Sequence, residues 1–247
     1  HGMVDLNKAI VQSCDVYFYN LANNLGIKNM SSFFKNFSFG SKTGIDMPFE
    51  SSGVLPSDEW KKKNVGYKWT DGDTVITGIG QGYFLATPLQ LAYATSIIAN
   101  RGLISIPKLN KDIQKEKNKK ILEKEEFFKN NLKPEDWEII TNAMFDVVNK
   151  QNGTAFWSIR DKKNKIAGKA GTVQVYSLSQ ETDERDDENI PDHLKDHSLY
   201  VAFAPIDEPQ IVIATVVENV GSGSKFAAPI SNTVSYTHLR AHETQTH

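Results

Sequence analysis

The 247-residue chain is 39% apolar and carries 28 basic against 30 acidic side chains, a formal net charge of −2. That is enough apolar content for a soluble core and too little basic field to hold nucleic acid on the body of the protein, so any binding must come from a local site. No apolar run reaches the roughly 18 residues of a membrane span, and Cys14, the single cysteine, permits no internal disulfide.

The chain opens His1-Gly2-Met3, with no charged region followed by an apolar stretch, and a helical pattern begins at Asp5-Leu6-Asn7-Lys8-Ala9-Ile10. This start is expected to be a cut through a domain. Residues 5 to 25 predict two short helices interrupted near Ser13-Cys14-Asp15. The second carries Val16, Tyr19, Ala22 and Leu25 on one face, with Gly26 as its stop. From 38 to 86 the glycines and prolines predict a long loop-rich excursion that ends in Gly78-Ile79-Gly80-Gln81-Gly82. Thr87-Pro88-Leu89-Gln90 combines a threonine cap, a proline at the first helical position and a glutamine three after the cap, which predicts a helix running to about Asn100. Residues 108 to 133 are lysine-rich with interspersed glutamates, the pattern of a solvated insertion. Pro134 then opens another helix through Lys150.

The last third turns to β-rich runs: Val173 and Val175, Leu199 to Ala204, and Ile211 to Val217. Three neighbouring antiparallel strands are expected. An acidic stretch, Glu181 to Glu188, separates the first two, and Pro205-Ile206-Asp207-Glu208-Pro209 forms a tight turn between the last two. Gly221-Ser222-Gly223-Ser224 reads as a flexible link, with Ala227-Ala228-Pro229-Ile230 starting a final helix. After Val234 the helical apolar period is lost. Residues 235–247 look like a non-native tail, and residues 1–234 like one partial domain.

Two short strings have chemical content: Ser13-Cys14-Asp15 in an inter-helix turn and Lys169-Ala170-Gly171-Thr172 opening a strand. Alone, each is matched by a plain structural reading, a helix cap and a strand-entry turn. Their order and surroundings add weight, in particular His1 to Leu6, Val16-Tyr17-Phe18-Tyr19, the run Gly78 to Ala92, Asp196-His197-Ser198-Leu199 and Val216-Val217-Glu218-Asn219. Together they resemble the penicillin-binding protein 2 branch of the class B transpeptidases over roughly residues 1 to 234.

That resemblance implies an α/β (α+β) fold, a serine β-lactamase/transpeptidase-like antiparallel sheet flanked by helices, here incomplete. It implies a peptidoglycan D,D-transpeptidase acting through a serine acyl-enzyme, with stem peptides and β-lactams as ligands. A parent protein anchored at the periplasmic face of the inner membrane, within a cell-wall elongation complex, is also expected. The family's first motif, Ser-x-x-Lys, should precede Ser13, and no serine does, so the nucleophile is expected upstream of His1 and the chain itself is expected to be inactive. Ser32 with Lys35, Ser105 with Lys108, Ser222 with Lys225, and Lys42-Thr43-Gly44 all read as decoys. By resemblance Lys169, Gly171 and Thr172 bind the substrate carboxylate, and Ser13 relays a proton with help from Lys169. Asp15 accepts hydrogen bonds. Ala170 and Asp15 stand where relatives often have a hydroxyl residue and asparagine. No cofactor is required by this chemistry. The same resemblance makes His1 and Cys14 half of a possible zinc site, although a lone cysteine is more often a packing residue. His193 and His197 read as capping or packing groups. Two rivals remain: a D,D-carboxypeptidase or β-lactamase, in which water is the acceptor, and a non-catalytic binding or sensor module.

Overall fold

The structure, a computed structural model, describes residues 1–110, 117–159, 164–175 and 190–245. The chain divides into two compact units, His1–Thr141 and Asn142–His247. The acidic stretch from Glu181 to Glu188 lies outside the described residues, as does part of the lysine-rich run.

The first unit is helical. α1 (Leu6–Val11) is capped by Asp5, whose carboxylate accepts from the Lys8 amide, and a turn leads into α2 (Asp15–Phe34). Gly26 kinks α2 rather than stopping it. Its φ of 72° breaks the helical backbone, and helical residues resume beyond it. The expected apolar face of this helix is mostly not a core face. Ala22 is buried, but Val16 and Leu25 are 65% and 45% exposed.

The excursion from 38 to 86 contains two short helices that the glycine punctuation concealed, α3 (Asp58–Asn64) and α4 (Asp71–Gly78). Both have side-chain caps, from Ser57 and Thr70, so local hydrogen bonds help nucleate them, in α4 despite two glycines and β-branched residues of poor propensity. α5 (Pro88–Ala99) starts as expected. Thr87 and Gln90 form a reciprocal capping box, and the Gln90 amide also donates to the carbonyls of Ser38, Ser41 and Ser52.

The lysine-rich run corrects the expectation of a solvated insertion. Residues Lys119–Asn131 form α6, which buries Ile121 and Phe128 against Phe37, Tyr93, Ile97 and Trp137. Phe128 stacks edge-on with Phe37 at 4.9 Å and with Trp137 at 5.6 Å. Burying such rings contributes about 1.5–3 kcal/mol each, so two apolar positions one helical face apart outweigh the surrounding charge. α7 (Pro134–Asn149) begins at Pro134 as read, and the division between the units falls within it.

The second unit is built on an antiparallel sheet of β1 (Ala167–Val173), β2 (His197–Ala204) and β3 (Ile211–Val217), in the order β1-β2-β3. Lys169 is the third residue of β1 rather than its opening. One face is covered by α8 (Gly223–Gln245), which starts four residues earlier than expected. The supposed flexible link is its first turn. Ser198, fully buried on β2, donates from Oγ to the Ser222 carbonyl and accepts from the Ala227 amide, both at 3.0 Å, and so binds that turn to the sheet. Nor does α8 end near Val234. Its helical backbone continues to Gln245, with Ser235 and Leu239 buried, because an established helix propagates at little cost per residue even where the apolar period fades.

Candidate active site

The Ser13-Cys14-Asp15 motif sits on a backbone irregularity. Cys14 donates its amide to the Ala9 carbonyl at 2.8 Å and its carbonyl receives the Tyr17 amide, so the residue closes α1 and opens α2 together. Ser13, just before it, is driven to φ 52°, a left-handed conformation that costs a non-glycine residue about 1–2 kcal/mol. A serine retained at that position leaves its side chain exposed at the surface. Asp15, at the first position of α2, is also exposed and complements the positive end of the helix. The Cys14 side chain is buried.

Ser13, Cys14, Asp15 and His1 share one cleft of about 730 Å³, walled also by Tyr17, Asn20 and Asn24. The opening segment is held there by Lys8, whose ammonium donates to the carbonyls of His1 and Met3 at 3.0 Å each. Tyr17, Asn20 and Asn24 were not singled out in the sequence. Their spacing of three and four along α2, one side facing the motif, was the available signal. Among the described residues no three His, Cys, Asp or Glu side chains cluster as a metal site would require.

The Lys169-Ala170-Gly171-Thr172 motif lies on β1, the terminal strand of the sheet among the described residues. Lys169 is half-buried opposite Val201, and its ammonium donates to the Ala170 carbonyl at 2.8 Å. Thr172 is exposed and pairs with Ser198. The Gly223 amide of α8 donates to the Thr172 hydroxyl oxygen at 3.3 Å. That bond holds the Thr172 hydroxyl oxygen against the start of α8.

The two glycines of β1 differ in what demands them. A Cβ on Gly168 would fall 2.2 Å from the buried Tyr200 hydroxyl, so packing alone requires glycine there. Among the described residues, a Cβ on Gly171 would meet only the Leu199 Cβ, at an ordinary 3.7 Å. The fold leaves that place open, and the glycine keeps the strand edge accessible.

The decoys are accounted for by their surroundings. Thr43 of Lys42-Thr43-Gly44 is buried and gives both its amide and its hydroxyl to Glu50, at 2.7 and 2.6 Å. That segment is a loop, not a strand. Ser32 and Lys35 are exposed at the end of α2 and in the 3-10 turn after it, and Ser105 with Lys108 lies in an exposed connection. Ser222 caps α8 through its carbonyl, which receives the Lys225 amide. His197 accepts the Asn219 amide on Nδ1 at 3.0 Å, a packing role as expected.

With both motifs placed, the comparison with known proteins is decisive: the penicillin binding protein transpeptidase domain matches residues 1–236. The chain belongs to the penicillin-binding protein transpeptidase family. Among its relatives are the peptidoglycan D,D-transpeptidases MrdA of Haemophilus influenzae, 41% identical over 95% of this chain and 36% of that protein, and of Escherichia coli K12, 36% identical over 90% and 35%. The chain thus spans about a third of the length of the curated relatives it matches. Two solved transpeptidase structures share its fold. Helicobacter pylori PBP2 in complex with MreC superimposes with a TM-score of 0.82 at 33% identity, covering 98% of this chain and 41% of that one. Pseudomonas aeruginosa PBP2 in complex with WCK 5153 gives 0.80 at 38% identity, covering 97% and 50%. The mixed fold, an antiparallel sheet flanked by helices, is therefore that of penicillin-binding protein 2 transpeptidases.

Proposed function

We propose that the whole protein is a serine D,D-transpeptidase that cross-links peptidoglycan stem peptides during wall elongation, and that residues 1–247 supply its second and third motifs. The observation that carries this reading is Lys169 to Thr172 on the terminal strand β1, with the Thr172 hydroxyl held by Gly223.

A stem peptide ending in D-Ala-D-Ala presents a free carboxylate. Lys169 meets it as a cation and Thr172 as a hydroxyl donor, charge-assisted contacts of about 1.5–3 kcal/mol each. The peptide lies extended along β1 and takes backbone hydrogen bonds from its edge, which the bare Gly171 leaves clear. The Thr172 amide and the nucleophile's own amide then face the oxyanion. The nucleophile is a serine of a Ser-x-x-Lys motif outside these residues. Its Oγ attacks the carbonyl of the penultimate D-Ala, the C–N bond breaks, and the terminal D-Ala leaves after taking a proton relayed through Ser13. Asp15 accepts hydrogen bonds beside that relay. An amino group of a neighbouring stem next attacks the ester and frees the serine.

In this reading the protein works at the periplasmic face of the inner membrane, anchored by a segment outside these residues, in a complex with other wall-elongation proteins. Support for such a complex comes from the MreC-bound relative. The same carboxylate chemistry makes β-lactams acylating inhibitors. Zinc is a secondary part of the proposal. His1 and Cys14 line one cleft and are a suitable nitrogen and sulfur donor, but a structural zinc takes four ligands, so two carboxylates from elsewhere must complete it. Bound there, the metal would brace the turn that carries Ser13.

The test is a fluorescent penicillin. The full-length protein acquires one covalent adduct by intact mass, whereas the 247-residue chain acquires none. An adduct on any serine of this chain would refute the motif assignment.

A further inference from the structure

Away from the Ser13 cleft, the first unit has a second cleft, of about 850 Å³, which Lys35, Lys42, Lys120 and Lys124 line together with Trp60 and Asn118. Its size is that of a small-molecule site. Among the described residues no aspartate, glutamate or arginine lines it, and none of the four lysines forms an ion pair.

The carboxylates that feel these cations are already engaged. Glu50, near Lys42, spends both oxygens on Thr43 and Gly44, and Glu59, near Lys35, is hydrogen-bonded within its own helix start to Ser57. Lys124 is half-buried with a neutral partner, the Ser38 hydroxyl, at 2.7 Å. Burial lowers its affinity for the proton, and the neighbouring Lys120 lowers it further. Gathering like charges around a partly desolvated ammonium is unfavourable unless a counter-charge joins them.

The first turn of α6 adds to the same field. Asn118 caps it through the Ile121 amide, and Asn118, Lys120 and Ile121 line the cleft, so the positive end of the helix lies beside it. The charge of the lining sets the ligand chemistry. Four ammonium point charges around one cleft suit a ligand that spreads more than one negative charge over several oxygens, as phosphate does.

We propose that this lysine cleft, whose lining includes no residue of the transpeptidase motifs, binds a phosphate-bearing ligand with at least two negative charges. Free phosphate esters and a phospholipid headgroup share that chemistry.

The experiment uses the full-length protein carrying Lys169→Ala, which removes the β1 cation from consideration. Pyrophosphate titrated by calorimetry at low salt is expected to bind saturably at one site. Lys124→Met and Lys42→Gln should each weaken it by about tenfold or more, the loss of one close charge contact. Because Lys42 is exposed, its variant leaves the fold intact even if Lys124→Met does not. Competition by dihexanoyl phosphatidate supports the headgroup as the source, and pyrophosphate binding without such competition supports a free phosphate ester. No saturable binding of either, unchanged affinity in Lys42→Gln, or citrate binding as tightly as pyrophosphate overturns the proposal.

Discussion

The amide of Gly223 reaches the hydroxyl of Thr172 across 3.3 Å, and this one bond ties the start of α8 to the strand that bears the Lys169-Ala170-Gly171-Thr172 motif. There is no room for a side chain at that junction. A Cβ on Gly223 would lie 2.1 Å from the Gly171 carbonyl oxygen and 2.4 Å from that of Leu199. Gly223→Ala in the full-length protein is therefore expected to push α8 off β1 and to slow acylation by penicillin at least tenfold. Ser198→Ala, which removes the two bonds of the buried hydroxyl, should cost about 1–3 kcal/mol of stability. Thermal unfolding and acylation kinetics measure both; a Gly223→Ala protein that acylates normally would mean that the junction plays no part.

Gly171→Ala separates folding from access. Among the described residues the added methyl meets only Leu199 at 3.7 Å, so the unfolding midpoint should stay within a degree or two, a change of roughly 0.5 kcal/mol or less. Acylation should fall sharply, since the methyl stands where the substrate strand approaches. Equal acylation by the variant and the wild type would show that Gly171 is spacing alone.

Lys169→Ala is expected to reduce acylation by stem peptides and β-lactams about a hundredfold, because both present a carboxylate to the same cation. Lys42→Ala should leave it unchanged: Lys42 lies in a loop of the first unit whose threonine is taken up by Glu50. Stopped-flow acylation of the two variants distinguishes the true motif from the decoy, and parity between them would reverse the assignment.

At Ser13 the backbone and the side chain make opposite predictions. Glycine is at ease at φ 52°, so Ser13→Gly should hold or raise stability by up to about 1 kcal/mol while slowing acylation through loss of the hydroxyl. Chemical denaturation paired with acylation rates reads both quantities. A variant that is more stable and fully active would remove Ser13 from the proton relay.

Glu50 sets an acid limit on the first unit. Burial raises its carboxyl pKa, but the hydrogen bonds from Thr43 and Gly44 outweigh that and leave it below its ordinary 4.5. A carboxylate lowered on folding stabilises the native state above its unfolded pKa and loses that contribution as pH falls through the folded value. Glu50→Gln should thus cost about 1.5–3 kcal/mol at neutral pH and flatten the acid limb of stability. Urea unfolding between pH 3 and about 7 tests this, and parallel curves for the two proteins would argue against it.

How much of this was legible beforehand varies with the range of the forces involved. The capping box at Thr87 and Gln90, the helix begun by Pro134, the break at Ser13 and the three strands were written locally, in residues whose hydrogen bonds or alternation act over a few positions. So was the family resemblance, carried by contiguous strings. The amphipathicity of α6 was masked by lysines because Ile121 and Phe128 make sense only against a cluster that brings together Phe37, far off in sequence, and Trp137 of the next helix. The helices within 38 to 86 rest on single caps among glycines, a signal that the composition of the segment hides. The link at Ser222 became a helix start because Ser198, distant in sequence, supplies the bonds that a helix end lacks. Which glycine of β1 is packed and which is open, and which of two lysine-glycine motifs lies on a strand, depended on what stands across from them. Local chemistry is encoded in adjacent residues, whereas burial and orientation are properties of contacts that exist only once the chain has folded.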